Sequence, residues 1–509
     1  MTEGARPERP EPVEPVEPVE PVSAREPDVL TTSMDAAGPE SPADAIVERD
    51  QGSFRDPAGF VFRRDGIVYR QIDASFAADW DRFISSGLHA RLRDAGDILP
   101  HEEVDPGLAA VPPAHRVIRP DPLELVSYPY EWSFSQLKDA ALLTLRAQSA
   151  AAAAGMTLRD ATAYNVQFRG CRPVLIDSLS FERAQPGRPW VAYRQFCEHF
   201  LAPLALMARV DIRLGRLLRH HLDGIPLDLA ARLLPGRTRI SLGLGPHIHL
   251  HARAQRQHAQ NGRDGARRAS GGSPGTMSAS KLATLVESLR STVDGLAWDP
   301  SGTVWADYAS HKSYDEAASR AKDAAVSSAL AAAGGRGAWD LGANTGRYSR
   351  LAADMGYRVV ALDVDPGAVE RHYLALRAQG RADILPLLAD LTDPSPALGW
   401  GSGERRSLLE RADADVVLAL ALVHHLAIGA NVPLPMIASL LARLAPHAIV
   451  EFVPKEDAMV QRLLASRRDV FPDYTLDGFR TALASRFDIL SQTPVEGTAR
   501  TIVHVRHQH

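Results

Sequence analysis

The heptapeptide Asp340-Leu341-Gly342-Ala343-Asn344-Thr345-Gly346 decides the fold of the second half of this chain. It follows the apolar, strand-like residues 337–339 and precedes a helix-like segment, residues 347–355. Glycines at such a turn let the backbone approach a bound nucleotide, because a Cβ atom would collide with the ligand or forbid the turn. The next apolar run ends in Asp363, at about the offset where a carboxylate contacts a ribose. The pattern predicts that a nucleoside binds here.

Three features favour S-adenosylmethionine over a dinucleotide. The turn lacks the glycine spacing of the dinucleotide fingerprint. Asp340 would repel a pyrophosphate, since two like charges about 4 Å apart cost on the order of 4 kcal/mol at a surface-like dielectric. The same carboxylate would attract the ammonium of a methionine group, whose carboxylate suits the N-terminus of the following helix. Asp390, after the apolar run 384–389, is a third acid at a strand end and a candidate acceptor for the adenine amino group.

These motifs resemble those of class I, Rossmann-like, S-adenosylmethionine-dependent methyltransferases. The resemblance runs from about residue 305 to the C-terminus, with the family's first motif at 340–346. It implies that the cofactor is held by Asp340, Gly342, Ala343, Asn344, Gly346, Asp363 and Asp390. It also implies an α/β fold with a seven-stranded, mostly parallel sheet, closed by an antiparallel pair at 487–491 and 499–506. Trp-Asp-Leu-Gly-Ala-Asn-Thr-Gly, Leu-Val-His-His-Leu and Glu-Phe-Val-Pro-Lys are similar to a narrower bacterial group that includes a rhizobial nodulation protein.

Composition sets broad bounds on function. The chain has 509 residues, 45% hydrophobic and 23% charged, with a formal net charge of -5. That charge gives no global electrostatic case for nucleic-acid binding. Only two cysteines occur, and no apolar run is long enough to span a bilayer. The Pro-rich, acidic N-terminus does not have the pattern of a signal peptide. We therefore expect a cytoplasmic protein without nucleic-acid or membrane partners.

The chain divides into four predicted parts. Residues 1–50 carry a Glu-Pro-Val repeat and read as a disordered tail, because proline at every third position prevents a helix. Residues 51–251 form an N-terminal α+β domain. Residues 252–280, rich in Gln, Asn, Arg, Gly and Ser, are expected to be a flexible linker. Residues 281–509 form the methyltransferase-like domain, in which strand and helix patterns alternate as in a parallel sheet covered on both faces.

Three residues are candidates for the chemistry. His424 and His425 follow the fourth strand of this domain, and an imidazole titrates near neutrality, which suits a general base for a hydroxyl acceptor. Which of the two faces the cleft stays open, as does a purely structural role for the pair. Glu451, late in the fifth strand, has three candidate roles: it could bind an acceptor hydroxyl, orient a histidine, or interact with the start of the next helix. Two roles are open for the aromatic residues that precede the sheet, Trp305, Tyr308 and Tyr314: a lid over the methionine group of the cofactor, or ordinary packing in the core.

The N-terminal domain has a weaker resemblance to protein-kinase-like phosphotransferases. Asp160 with Asn165, followed by Asp177 after a short apolar run, is similar to the family's catalytic loop and magnesium-binding aspartate. The usual histidine lead-in and a glycine-rich loop are absent. The lysine that clamps phosphate is also missing, unless Arg70 replaces it. A degenerate kinase-like domain and an unrelated α+β domain both remain open. A clear local signal is the hairpin 60–69, whose Asp-Gly suits a tight turn.

The leading hypothesis is a methyltransferase acting on a small-molecule or glycan-like acceptor. Alternatives are a kinase-like phosphotransferase or binding module in the N-terminal half, a non-catalytic adaptor, and, more weakly, an NAD-dependent oxidoreductase. No metal site is predicted: a strand would place His247, His249 and His251 on one face, but no carboxylate or cysteine accompanies them. A solvated basic segment is the favoured interpretation of that stretch. The sequence leaves the oligomeric state open.

Overall fold

A computed structural model of the chain describes residues 46–253, 277–303, 316–465 and 468–508. Residues 1–45 of the predicted tail, most of the expected linker and the three aromatic residues of the suggested lid lie outside these ranges. The last residues of the predicted tail are described and are not disordered: Val47–Arg49 forms a strand, because it pairs with the strand Gly59–Arg64. Residues 46–509 group into one compact unit by their contacts. The division into domains 51–251 and 281–509 stays a prediction.

The N-terminal half begins with an antiparallel five-stranded sheet, order β1-β2-β3-β5-β4. Its strands are β1 Val47–Arg49, β2 Gly59–Arg64, β3 Ile67–Ile72, β4 His101–Val104 and β5 Arg116–Pro120. The predicted hairpin is confirmed: Arg64 pairs with Ile67, and Asp65 and Gly66 both have positive φ, 52° and 78°. A turn with two positive φ angles matches the twist of the flanking strands, which explains the Asp-Gly sequence.

Two short antiparallel pairs of strands and several helices complete this half. The antiparallel pairs are β6 Met156–Leu158 with β9 Phe181–Arg183, and β7 Val166–Arg169 with β8 Arg172–Leu175. The helices are Ala77–Ser85, Leu88–Ala95, Phe134–Ala153, Tyr193–Phe196, Ala202–Arg209 and Leu227–Leu233. The long helix Phe134–Ala153 is buried along most of its length and starts at a capping box, in which Ser133 and Gln136 satisfy each other's backbone amides.

The C-terminal half is built on a seven-stranded sheet, order β12-β11-β10-β13-β14-β16-β15. Its strands are β10 Gly337–Leu341, β11 Arg358–Asp363, β12 Ile384–Leu388, β13 Val416–Ala419, β14 His447–Phe452, β15 Phe487–Pro494 and β16 Thr501–His507. The first five are parallel to one another, whereas β16 runs antiparallel to β14 and β15. The central strands are buried at nearly every position, as expected for a sheet covered on both faces.

The helices of this half are Ala279–Asp294, Glu316–Ala333, Arg347–Asp354, Pro366–Gln379, Leu434–Leu444, Ala458–Leu464 and Leu476–Ala484. The mixed α/β class and the alternation of strands and helices are confirmed. Strand order reverses between β10 and β13, and ligands of such sheets bind beyond the carboxyl ends of the strands at this point. Within the described residues, every helix is too short or too polar to cross a lipid bilayer.

The two halves share a buried interface that fixes the helix Pro366–Gln379. Ser135 donates to Glu370 from its amide and its hydroxyl, at 3.0 and 2.5 Å. A second link is the buried ion pair between Arg411 and Glu131. Removing one partner of a buried charge is strongly destabilising, so these contacts couple the two halves. The N-terminal half thereby supports the helix that follows Asp363.

Candidate functional site

The turn 342–346 has a backbone that only particular residues adopt. Gly342, Asn344 and Gly346 have φ of 71°, 50° and 78°. At Gly346 the position of a Cβ atom would fall 2.0 Å from Nε2 of His372, so no side chain fits. The amides of Gly342 and Ala343 both donate to the carbonyl of Leu362, at 2.8 and 3.0 Å. The turn is therefore held against the end of β11, next to the start of the helix Arg347–Asp354.

Asp340 lies near the end of β10, just before this turn, and is 3% exposed. Its Oδ2 accepts a hydrogen bond of 2.6 Å from the hydroxyl of Ser349. Burial raises the pKa of the Asp340 carboxyl to about 6, helped by the charge of Asp363 and opposed by the Ser349 hydrogen bond. A carboxylate held away from water with an elevated pKa is stabilised by an incoming cation.

Asp363 is the last residue of β11 and is 8% exposed. Its two carboxylate oxygens accept hydrogen bonds of 2.8 Å from the amides of Asn344 and Asp365. Burial raises the pKa of this carboxyl as well. Each carboxylate oxygen has two lone pairs, so one bond to each still leaves capacity for ribose hydroxyls. Asp363 thus links the turn to its own strand end while it stays able to accept further donors.

Asp390 lies two residues beyond the end of β12, and not at the last strand residue as the sequence pattern suggested. Thr392 donates to its Oδ1 from the amide and from the hydroxyl, at 2.9 and 2.6 Å. β10, β11 and β12 are adjacent and parallel, and Asp363 pairs in register with Leu388. The structure therefore brings Asp340, Asp363 and Asp390 to one edge of the sheet.

His424 and His425 have different surroundings at the end of β13. His424 is 1% exposed, and neither ring nitrogen has a hydrogen-bond partner in the described part of the chain. Burial, with smaller contributions from His425, Arg500 and Lys322, lowers the pKa of His424 to about 2. His425 is partly exposed, and burial lowers its pKa too. The ring centroids are 4.1 Å apart. Both imidazoles are therefore neutral near pH 7.

Glu451 belongs to a buried ionic network that the sequence analysis did not foresee. It is 0% exposed, and its carboxylate lies 2.6 Å from Nζ of Lys322 and 3.5 Å from Nη1 of Arg500. Arg500 also pairs with Asp457 at 2.8 Å, and Asp457 caps the helix that follows. Of the roles suggested for Glu451, the contacts favour an internal, charge-paired one. Its neighbour Asp457, not Glu451 itself, makes the helix contact.

Lys322, the partner of Glu451 in this network, has a signal in the sequence. Its helix, Glu316–Ala333, buries a stripe that consists of Ala318, Lys322, Val326, Ala329 and Leu330. A lysine in an apolar stripe at helical spacing signals a buried ion pair, because lysine is almost never buried without a partner. Its ammonium also lies 4.8 Å from the ring centroid of Tyr348.

The residues of the N-terminal half that resemble a kinase site, Asp160, Asn165 and Asp177, lie close together in the structure. Asn165 donates to Oγ of Ser180 at 2.9 Å, and that hydroxyl donates to Oδ2 of Asp177 at 2.8 Å. The guanidinium of Arg70 pairs with the other oxygen of Asp177. Burial raises the pKa of Asp160, and the charge of Asp177 adds to the effect. Arg70 thus forms an ion pair with the carboxylate that the resemblance assigned to magnesium. Among the described residues, no group of three metal-binding side chains occurs.

The interpretation of the three alternating histidines was wrong. His247, His249 and His251 lie on a π-helical turn, Gly245–Leu250, and its continuation, instead of on a strand. His247 is buried and bonds to Tyr193 Oη at 2.8 Å and to Ser288 Oγ at 3.0 Å. The helical spacing places His247 and His251 on one face, against Tyr193, and His249 on another, against Thr238. Through Ser288, His247 also contacts the helix Ala279–Asp294.

Comparisons with known proteins give a relative by sequence and several solved structures of low similarity. No family model matches the chain. The nodulation protein NoeA of Rhizobium meliloti (strain 1021) is 36% identical over 463 residues, covering 89% of this chain and 95% of that protein. Solved structures with partial similarity include the N-methyltransferase NodS from Bradyrhizobium japonicum WM9 in complex with S-adenosyl-L-homocysteine, with a TM-score of 0.29 and 11% identity over 40% of this chain and 98% of that one. The bifunctional kinase-methyltransferase WbdD has a TM-score of 0.28 and 14% identity, covering 38% of this chain and 40% of that one. Structural scores this low carry no functional argument.

Proposed function

The chain belongs to the family of the nodulation protein NoeA, and we propose that it is an S-adenosylmethionine-dependent methyltransferase with a Rossmann-like C-terminal domain. The observation that carries the proposal is the buried carboxylate of Asp340 near the end of β10, just before the glycine turn. A diphosphate next to this carboxylate would be repelled, whereas a cationic amino-acid group would be attracted. The NAD-dependent alternative is disfavoured for the same reason.

The residues at the strand ends fit each part of the cofactor. Asp340 suits the ammonium group, and the N-terminus of the helix Arg347–Asp354 suits the carboxylate of the methionine moiety. Asp363 retains acceptor capacity for ribose hydroxyls, and Asp390 for the adenine amino group. Gly342, Ala343, Asn344 and Gly346 form the backbone that approaches the ligand. When bound, this cofactor supplies an electrophilic methyl group on a sulfonium, so catalysis can come largely from the positioning of the acceptor.

His425 is the stronger candidate for the catalytic base. It is the more accessible member of the histidine pair, and its lowered pKa keeps the imidazole neutral and able to accept a proton at pH 7. His424 lies deeper, and a pKa of about 2 makes it a weaker base. Glu451 is assigned a positioning role, since it holds the cations Lys322 and Arg500 near His424. The acceptor is proposed to be a small molecule or a glycan-like compound that carries a hydroxyl.

Calorimetry with S-adenosylhomocysteine tests the cofactor assignment. We expect the full chain to bind this product, and Asp363→Ala to weaken the affinity by about tenfold or more, as loss of charge-assisted hydrogen bonds to a ligand would. Asp477→Ala serves as the matched control, because Asp477 is an exposed helix residue on another part of the fold. Unchanged affinity in a folded Asp363→Ala variant, or preferential binding of NAD, would refute the assignment.

A phosphotransferase in the N-terminal half is the second candidate. The convergence of Asp160, Asn165 and Asp177 favours it, and the pairing of Arg70 with Asp177 counts against it. Thermal-shift measurements on the full chain with magnesium and ATP distinguish the two. We expect no stabilisation. A shift that depends on magnesium and disappears in Asp177→Asn would reverse that preference.

A further inference from the structure

A cleft of about 680 Å³ lies between the two halves, far from the cofactor edge. One wall is the β7–β8 hairpin with the segment after the helix Leu88–Ala95, and the other is formed by the starts of β11 and β12. Arg358 opens β11 and Asp363 closes it, so the cleft and the ribose acid are separated by roughly 17 Å of strand at about 3.3 Å per residue. The cleft is therefore distinct from the site proposed for the methyl donor.

Arginines from both walls line this cleft. Arg169 and Arg172 are direct cross-strand partners on either side of the turn Gly170-Cys171, and Arg358 faces them from the C-terminal half. Like charges directly opposite each other on paired strands destabilise a hairpin. A bound anion between them would relieve that repulsion.

The three guanidinium groups keep donors available for a ligand. Arg172 bonds to the carbonyl of Ala95, and Arg169 and Arg358 each approach one carboxylate at 3.3 Å, from Asp121 and Glu124. A guanidinium has five N–H donors, so single contacts of this kind leave most of them unused.

Arg381, a fourth lining arginine, has a different role. It holds Asp383 with two hydrogen bonds, at 3.0 and 2.7 Å, and Asp354 with a third at 2.8 Å. Its charge is matched by these acids, so it braces the wall of the cleft. The anion-binding capacity therefore rests on Arg169, Arg172 and Arg358.

Glycines make room for this arrangement. Gly96 has a φ of 67°, and a Cβ atom there would lie 2.2 Å from Nη2 of Arg172. Gly170, at φ 57°, approaches the backbone of Ala382 so closely that a Cβ atom would lie 2.4 Å from its carbonyl carbon. The hairpin is thus held directly against the opposite wall, which gives the cleft a defined shape.

Glu124 adds an acceptor among these donors. Its Oε2 is buried and has no hydrogen-bond partner in the described ranges, while Oε1 faces Arg358. The Glu124 side chain lines the cleft and is 19% exposed, and each carboxylate oxygen has two lone pairs, so the carboxylate can accept a hydrogen bond from a ligand hydroxyl. Asp383, the other carboxylate of the lining, is held by Arg381, so the lining combines a cationic pocket with the Glu124 carboxylate and matches a ligand that carries both an anionic group and hydroxyls.

We propose that this cleft binds a phosphorylated sugar. The phosphate contacts the guanidinium groups of Arg169, Arg172 and Arg358, since arginine forks match phosphate oxygens. A sugar hydroxyl donates to the carboxylate of Glu124. The site joins the two halves, so its ligand bridges them.

Titration calorimetry on the full chain tests this with glucose 6-phosphate, inorganic phosphate and glucose as probes. We expect glucose 6-phosphate to bind more tightly than phosphate, and glucose to give no signal. Arg172→Ala should weaken glucose 6-phosphate by about tenfold or more, as loss of a charge-assisted hydrogen bond would. Glu124→Gln should reduce the preference for the sugar phosphate over phosphate. Arg119→Ala, an exposed arginine paired with Glu102 on the outer strands, is the matched control and should change nothing.

Absence of binding to glucose 6-phosphate at millimolar concentration overturns the proposal, and so does equal affinity for phosphate and glucose 6-phosphate. Arg358→Ala provides a second variant from the other wall, in case Arg172→Ala perturbs the hairpin. Unchanged affinity in both folded variants would also refute it. Both variants should bind S-adenosylhomocysteine with normal affinity. Failure of the sugar-phosphate proposal is therefore separable from failure of the methyltransferase assignment.

Discussion

The affinity for S-adenosylhomocysteine should fall as the pH drops through 6. Burial raises the pKa of Asp340 to about 6, so the carboxyl is almost fully ionised at pH 8 and mostly protonated at pH 5. Only the ionised form attracts the ligand's ammonium group, and that ammonium stays charged over this range. Binding therefore stabilises the ionised carboxyl, and acidification opposes binding.

The size of the effect follows from the ionised fraction. With a pKa near 6, about a tenth of the carboxyl is ionised at pH 5, so the dissociation constant should rise by about tenfold between pH 8 and pH 5. That change corresponds to about 1.4 kcal/mol. Burial raises the pKa of Asp363 as well, so protonation of that carboxyl on acidification acts in the same direction.

Calorimetry at half-unit intervals from pH 5 to pH 8, in buffers of different ionisation enthalpy, measures both the affinity and the proton uptake or release. Asp340→Asn is the control: it should bind weakly and lose the component of the profile that belongs to residue 340. Circular dichroism at each pH confirms that the chain is folded. A flat profile in the unmodified chain, or an unaltered profile in Asp340→Asn, would refute the role assigned to this carboxylate.

Further predictions concern the buried charges and the turn. Lys322→Met should lower the free energy of unfolding by about 3 kcal/mol, because it removes a partner of the buried Glu451, and the double variant Lys322→Met/Glu451→Leu should recover most of the loss in urea titrations. Gly346→Ala should abolish S-adenosylhomocysteine binding in calorimetry and lower the free energy of unfolding by roughly 2 kcal/mol or more. The positive φ of residue 346 is strained for alanine, and the new Cβ atom would collide with the ring of His372. Arg411→Ala should cost about 3 kcal/mol or more by leaving Glu131 buried and unpaired, and unfolding monitored by near-UV circular dichroism should show it as a lower denaturant midpoint.

Local patterns were sufficient for the elements that position the site. The Asp65-Gly66 turn, the alternation after residue 337 and the glycine-rich turn 340–346 each depend on backbone preferences or hydrophobic periodicity, which neighbouring residues determine. Strand ends were less certain: β12 stops at Leu388, two residues before Asp390. Pairing with the next strand sets that boundary, and a single sequence segment does not contain this information.

The histidines show where local patterns mislead. Alternation of His247, His249 and His251 suggested a strand, yet burial of His247 against Tyr193 and Ser288 selected a π-helical turn. Tertiary contacts outweighed the pattern, because an apolar and hydrogen-bonded environment from distant segments contributes more than local preference.

The sequence by itself determined the order of strands and helices, the glycine turn and the presence of an acid at or near the ends of three strands, because these depend on residues close together in the chain. Only the tertiary structure decided which charges meet. Lys322 and Glu451, Arg411 and Glu131, and the arginines of the cleft are far apart in sequence, and their pairing follows from how the layers dock. Burial then sets the pKa of Asp340 and His424, since the cost of removing a charge from water depends on the whole surrounding fold.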